Sequence, residues 1–295
     1  MVCDLRENDF LQSLSAKYPD VLTTLEPEID GPGIMRQLMD EYGDQDDGCT
    51  HFRKAFFELT QETGRRNAGA IRQKAREALS LARQTGFPHL EITVLCTAGN
   101  GMAGAGHLEE ALKTFDEARR IAKANAPLPI IPEMPELAVE LPGGNIFDQL
   151  AVQALFFKGA ALVGASRFAR AHEAYLEAAN ELKTALNAKG NPGQADWSNG
   201  GILVFQLLEA LRMCGFCLES DGQKRQAAPF YEETLRISES FDAETRKSTT
   251  VGYSGRALLE IYKAEGQKNG YLSTRDKMNE LLGAGWEESL PQRAA

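Results

Sequence analysis

Apolar residues return every three or four positions through most of this chain, the period of one helix face, and no stretch alternates apolar and polar with period two. The pattern predicts helices over 51–63, 67–85, 89–104, 108–124, 146–165, 168–188, 200–220, 224–240, 244–265 and 268–283. Briefer amphipathic pieces fall near 4–16 and 35–39, broken by Pro19, Pro27 and the Gly31-Pro32-Gly33 turn. One pattern of six positions occurs three times at the same internal spacing. It reads Leu95, Gly99, Met102, Ala111, Phe115 and Ala118, then Leu155, Gly159, Leu162, Ala171, Tyr175 and Ala178, then Leu211, Gly215, Leu218, Ala227, Tyr231 and Thr234. The first three positions share a face of one helix and the last three a face of the next. Gly99, Ala111 and their counterparts are small, so the two backbones of a pair are expected to approach closely there. Phe115 and its Tyr counterparts are expected to fill the space between one pair and the next. Each pair leaves an apolar face that only a neighbouring pair covers, so the repeat predicts a stacked helical array.

These residues resemble the motif of the tetratricopeptide repeat family, with its large apolar residue, Leu-Gly, aromatic, and later Ala, Phe or Tyr, and Ala. The resemblance covers residues 92–240, and looser copies flank it. Upstream are Ala55, Leu59, Glu62, Ile71, Ala75 and Ala78; downstream are Gly255, Leu259, Tyr262, Tyr271, Arg275 and Met278. Two features depart from the family. The three clear copies start 60 and 56 residues apart, against a norm of about 34. No copy opens on Trp. The resemblance implies an all-α fold, a right-handed superhelix of about five antiparallel helix pairs with an N-terminal helical cap. The domain division that follows is 1–48 as a cap or arm, 49–285 as the repeat domain with a Pro-rich insertion at 125–145, and 286–295 as a tail.

In the family the first helix of each pair lines a concave groove that holds a protein segment. Carried onto this chain, the resemblance turns Cys96, Ala160 and Glu260 toward the groove, with Asn100, Gln153, Phe156, Glu209, Arg212, Phe216, Tyr253 and Arg256 as candidate partner-binding residues. Phe156 and Phe216 are large apolar residues off the repeat stripe and suit anchors in an interface. A competing reading has Phe156 pack against the N-terminal segment or the Pro-rich link. Arg212 and Arg256 suit a carboxylate. The Lys/Asn clamp by which some relatives hold a peptide's C-terminal carboxylate is mostly absent, since Asn100 matches one position but Cys96 stands where a Lys is needed. That disfavours chaperone-tail binding.

Composition narrows the partner. The 32 basic and 42 acidic residues among 295 leave a net charge of −10, which argues against nucleic acid and anionic membrane. The most apolar stretch, 146–165, contains Asp148, Gln149, Gln153 and Lys158 and reads as a buried repeat helix rather than a membrane span. Asp4, Arg6, Glu7 and Asp9 interrupt any apolar run at the start, so no signal peptide is expected. Five cysteines, an odd number, fit a reducing cytoplasm better than a disulfide framework.

Three motifs imitate chemistry. Gly99-x-Gly101-x-x-Gly104 after Ile92–Leu95 resembles a dinucleotide-binding turn. The repeat already accounts for Gly99, and Pro127, Pro129, Pro132, Pro135 and Pro142 occupy the place of the second strand. A phosphate loop fails because His107 and Leu108 follow Gly106. Cys214 and Cys217, at i and i+3 on a helix, suit half a zinc site or a redox pair, but no second pair completes it, and packing is the preferred reading. The four histidines, 51, 89, 107 and 172, are scattered, with His107 and His172 expected at the surface. No catalytic residue, cofactor or metal is assigned. The expected function is a non-enzymatic cytoplasmic adaptor that binds a protein segment. Alternatives are a peptide-responsive regulatory module, a secretion-type chaperone or immunity partner and, less favoured, a nucleotide-binding enzyme.

Overall fold

A computed structural model describes residues 48–125, 146–187, 201–239 and 249–286. They form ten helices and, among the described residues, no strand: α1 (Gly48–Arg65), α2 (Ala68–Thr85), α3 (Pro88–Gly104), α4 (Leu108–Asn125), α5 (Ile146–Gly164), α6 (Phe168–Asn187), α7 (Gly201–Ser220), α8 (Lys224–Ser238), α9 (Thr249–Ala264) and α10 (Lys268–Leu282). Each falls on an expected span. The N-terminal pieces and residues 126–145 lie outside the described residues, as do 240–248, where the expected span of α9 begins.

The repeat is visible in the backbone. Arg66 (φ 57°), Gly106 (85°), Ser166 (56°), Gly222 (79°) and Gly266 (68°) all take left-handed conformations at helix ends. Their successive gaps of 40, 60, 56 and 44 residues equal those between Ala55, Leu95, Leu155, Leu211 and Gly255. After Gly106, Ser166, Gly222 and Gly266 the next N–H reaches back to the carbonyl of the third pattern position: His107 N to Met102 O at 2.8 Å, Arg167 N to Leu162 O at 2.8 Å, Gln223 N to Leu218 O at 2.8 Å and Gln267 N to Tyr262 O at 2.9 Å. This left-handed cap closes the first helix and turns the chain into the second. Both loose flanking copies therefore belong to the repeat. Ser166 carries the steric cost of the left-handed region that glycine avoids. We expect Ser166→Gly to raise the stability of the chain by about 1 kcal/mol, read as a higher urea midpoint at unchanged slope.

The chain divides into two compact units, Met1–His107 and Leu108–Ala295. In the first, α1, α2 and α3 pack on one another around the fully buried Leu59, Ile71, Ala78 and Ile92. Asn67 caps α2 by accepting from Ala70 N at 3.2 Å. The three glycines that imitate a nucleotide loop all lie in α3 or its end, and Ile92–Leu95 is helical. A Cβ on Gly101 would stand 2.5 Å from Thr63 Cγ2 and 3.1 Å from Ile71 Cδ1. Gly101 thus seats α3 on α1 and α2, and no phosphate loop exists there.

In the second unit each helix from α4 to α10 packs on the next. One apolar core runs through α5 to α10 and takes in Leu155, Leu182, Leu207, Leu211, Tyr231 and Trp286. The helices form two rows. In one row α7 touches both α5 and α9. In the other, ion pairs link α4 to α6 (Arg119 to Glu177, 2.5 Å, and to Glu181, 2.6 Å) and α6 to α8 (Lys183 to Glu233, 3.0 Å). Lys277 of α10 pairs with Glu239 at the end of α8. Solvent-facing pairs contribute about 0–1 kcal/mol each, so apolar burial dominates and the pairs favour register.

The small positions act differently from the sequence expectation. A Cβ on Gly159 would stand 2.6 Å from the Tyr175 ring, and one on Gly215 2.6 Å from the Tyr231 ring. The aromatic residue of the second helix therefore lies over the glycine of the first helix in its own pair. The same rings also reach the next pair, as expected: Phe115 stacks on Phe157 of α5 with centroids 6.2 Å apart, and Tyr175 shares a buried cluster with Cys214 and Cys217 of α7.

Candidate functional site

The row α5, α7 and α9 carries seven of the eight candidate groove residues; Asn100, which is exposed, belongs to α3 of the first unit. On α7 the residues Phe205, Glu209, Arg212 and Phe216 follow one another at i, i+4, i+7 and i+11, a single stripe of the helix. Leu207, Leu208 and Leu211 face the core, which turns the stripe away from it. Phe205 is 43% exposed, the one exposed large hydrophobic side chain among the described residues.

The charges of the stripe are committed to each other. Arg212 Nε donates to Glu209 Oε2 at 2.8 Å, and Arg212 Nη2 donates to Glu209 Oε1. Thr250 at the start of α9 donates its hydroxyl to Glu209 Oε2 at 3.1 Å and ties α9 to α7. Burial opposes the Arg212 charge, but the hydrogen bonds and charge of Glu209 outweigh it and raise the guanidinium pKa above its ordinary value. The carboxylate expected from a partner at Arg212 is supplied from within the chain.

The other candidates divide by burial. Phe216 is half-buried and meets Phe168 of α6 edge-on, centroids 6.3 Å apart at 83°. Phe156 is half-buried and meets Tyr175 edge-on at 5.7 Å and 75°, so it helps to hold the α5–α6 pair together. Gln153 and Ala160 are exposed, and Tyr253 and Arg256 are half-buried. Arg256 and Glu260, four apart on α9, both have partners. Cys96 does not face outward: it is 4% exposed, and burial pushes its thiol pKa up to about 12.

Phe205 was missed by the repeat pattern because it stands six residues before Leu211, outside the spacing, in the run Ile202–Leu208. That run is almost wholly apolar, so no amphipathic contrast separates Phe205 from its buried neighbours. Next to it, the amide oxygen of Gln206 is buried without a hydrogen-bond partner.

The remaining motifs resolve into packing. Cys214 and Cys217 are both free, fully buried thiols, each pushed up to about 12 by burial. No cluster of three or more His, Cys, Asp or Glu suited to a metal occurs among the described residues. His172 is not a surface residue. It is half-buried, with Nδ1 3.3 Å from the Cys214 carbonyl and its ring edge-on to Phe230. His107 is exposed as expected, 3.3 Å from Arg72 Nη2. In the first unit, α1 and α2 border a shallow cleft of about 610 Å³ lined in part by His51, Lys54, Glu58, Lys74 and Glu77. Lys74 is taken by two carboxylates, Glu58 and, at 3.1 Å, Glu77. The hydrogen bond to Glu58, followed by that to Glu77, raises the Lys74 pKa. No described helix is long and apolar enough to cross a membrane.

No family model and no curated protein matches the chain. Solved structures do. Aspartyl phosphate phosphatase F from Bacillus subtilis aligns with TM-score 0.54 at 12% identity, over 95% of this chain and 62% of that one. A kinesin light chain with nearly identical TPR-like repeats, from Podosopora anserina, aligns with TM-score 0.48 at 10% identity over 80% of this chain and 97% of its own. The apo form of RapI aligns with TM-score 0.49 at 10% identity over 92% and 99%. The chain spans less than two thirds of the Bacillus phosphatase, and at such identity the likeness is one of fold. The fold is all-α and tetratricopeptide-like, a series of helix pairs closed by a common turn.

Proposed function

We propose that the row α5, α7 and α9 of the second unit binds a segment of another protein, with Phe205 as its central anchor. The observation that carries this reading is a phenylalanine 43% exposed on the helix that touches both of its row neighbours. The part of the ring that stays exposed is apolar surface that a partner would cover. Gln153, Phe156, Glu209, Arg212, Phe216, Tyr253 and Arg256 border or support the anchor, and Asn100 is the corresponding candidate on the first unit. The protein is then a non-enzymatic adaptor, and its free buried thiols fit a reducing cytoplasm.

Capture from the native lysate tests this, with wild type beside Phe205→Glu and the exposed second-row control Glu173→Lys. We expect the same protein to be held by wild type and Glu173→Lys and reduced about ten-fold by Phe205→Glu, a loss of about 1.4 kcal/mol. Equal capture by all three, each verified as folded, would move the binding surface off this row.

A further inference from the structure

We infer that the second row of the second unit is an ionic seam that opens while the row α5, α7 and α9 stays closed, so that the unit changes shape by hinging about its first row. The two rows are joined differently. In the first, α7 touches both α5 and α9, and Leu155, Leu207, Leu211, Val251 and Leu258 of those three helices lie in one buried core. Such packing yields little, because an apolar contact weakens steeply with a small gap. In the second row the backbones of α4, α6, α8 and α10 approach less closely, and charged side chains span each gap. A long Lys, Arg or Glu side chain follows a helix that shifts by about 1–2 Å, which a packed leucine cannot do.

The gaps of the seam are unequal. Between α4 and α6, Arg119 reaches Glu177 and Glu181, one turn apart, Lys123 reinforces Glu181 at 2.9 Å, and Arg170 pairs back to Glu109 at 3.2 Å. The side chains of Arg119 and Glu181 are 27% and 18% exposed, so parting them strands a partly buried charge. α6 meets α8 through Lys183 and Glu233 at 3.0 Å. α8 meets α10 through Lys277 and Glu239, which are 37% and 46% exposed. Pairs so exposed hold weakly and yield to salt. Opening therefore falls on the α6–α8 and α8–α10 gaps, and the α4–α6 gap stays shut. As the two gaps widen, the outer faces of α5, α7 and α9 turn toward one another. The second row thereby sets the width of the surface on the first.

The test reads distances in the full chain by pulsed electron paramagnetic resonance, between spin labels on unnatural residues placed at exposed positions. Labels at Asn180 and Asn279 span α6 to α10, labels at Lys113 and Glu173 span α4 to α6, and labels at Gln153 and Lys263 span α5 to α9. Lys183→Glu/Lys277→Glu sets like charges against Glu233 and Glu239. In this variant we expect the Asn180–Asn279 distance to grow by about 2–4 Å, about 1–2 Å per gap. The Lys113–Glu173 distance is expected to hold within about 1 Å, and the Gln153–Lys263 distance not to lengthen. Adding Glu233→Lys and Glu239→Lys, which exchanges the charges of each pair, is expected to restore the first distance. In wild type, raising salt from about 50 to about 500 mM is expected to lengthen it as well. An Asn180–Asn279 distance that stays constant in the reversed variant, that lengthens together with Gln153–Lys263, or that the exchanged variant leaves long would overturn the inference. Should the reversed variant fail to fold, the wild-type salt series decides, and a distance independent of salt overturns it.

Discussion

Tyr231→Ala is expected to cost about 3–5 kcal/mol of stability, as for other large buried aromatics cut back to alanine, and Gly215→Leu in the same molecule is expected to return part of it. Tyr231 is 1% exposed, and its ring stands 2.6 Å from where a Cβ on Gly215 would be. Its hydroxyl donates to Glu219 at 3.1 Å. Gly215→Leu alone drives a side chain into that ring, which the surrounding core prevents from moving, at about 1–3 kcal/mol. Better helix propensity offsets this by about 1 kcal/mol. In the double variant the leucine enters the space the ring has left, so the two costs do not add. Urea midpoints of the four proteins give the coupling directly. Simple additivity would mean that the glycine does not serve the ring. Gly255 makes a useful contrast, because the atoms a Cβ there would meet belong to Met278, a flexible side chain that yields more readily.

Alkaline solution is expected to destabilise the protein through its buried thiols. Burial raises Cys96, Cys214 and Cys217 from the ordinary 9.0 to about 12, and each of Cys214 and Cys217 loses more by ionising than a solvated thiol does. Below pH 9 both folded and unfolded thiols hold their protons, and stability is intact. Between 9 and 12 only the unfolded chain releases them, so stability falls as pH rises. The slope is about 1.4 kcal/mol per pH unit for each thiol, about 4 kcal/mol for the three together. Tyr175, also raised by burial, steepens the fall above its ordinary value. Urea midpoints measured from neutral pH to about 10.5 on wild type and on Cys214→Ala/Cys217→Ala test this. The double variant is expected to show the shallower decline. Parallel declines would show that these two thiols are not held neutral by the fold.

The helices and the repeat were legible in the sequence because both are matters of spacing. The distance from Leu95, Leu155 or Leu211 to its turn is fixed by a hydrogen bond to the third pattern position. Even the loose copies at Ala55 and Gly255 kept that distance after most of the signature residues had changed. Contacts across helices were less legible. Glycine at 159 and 215 announces a close approach but not by what, and the approaching group is a ring rather than a backbone. Phe156 lies off the repeat stripe, yet Tyr175 draws it into the α5–α6 pair. His172 sits one turn from a loop and still finds Cys214 and Phe230 on two other helices. Phe205 was hidden for the opposite reason, as an exposed residue inside an apolar run.

The candidate site inherits this division. Its helices and its α7 stripe follow from periodicity, whereas the pairing of Arg212 with Glu209 and Thr250 depends on rotamers and on a neighbouring helix. That pairing commits the Arg212 charge to Glu209 within the chain. The candidate list from sequence therefore named residues of the row before their charge state was visible.

The most direct measurement is site-specific photo-crosslinking in the native lysate, with a photoreactive phenylalanine analogue at Phe205 in one protein and at the exposed second-row position Glu173 in another. The account predicts one dominant crosslinked protein from position 205 and none of it from position 173. Crosslinking of the same protein from 173 and not from 205 would place the partner on the second row and contradict it.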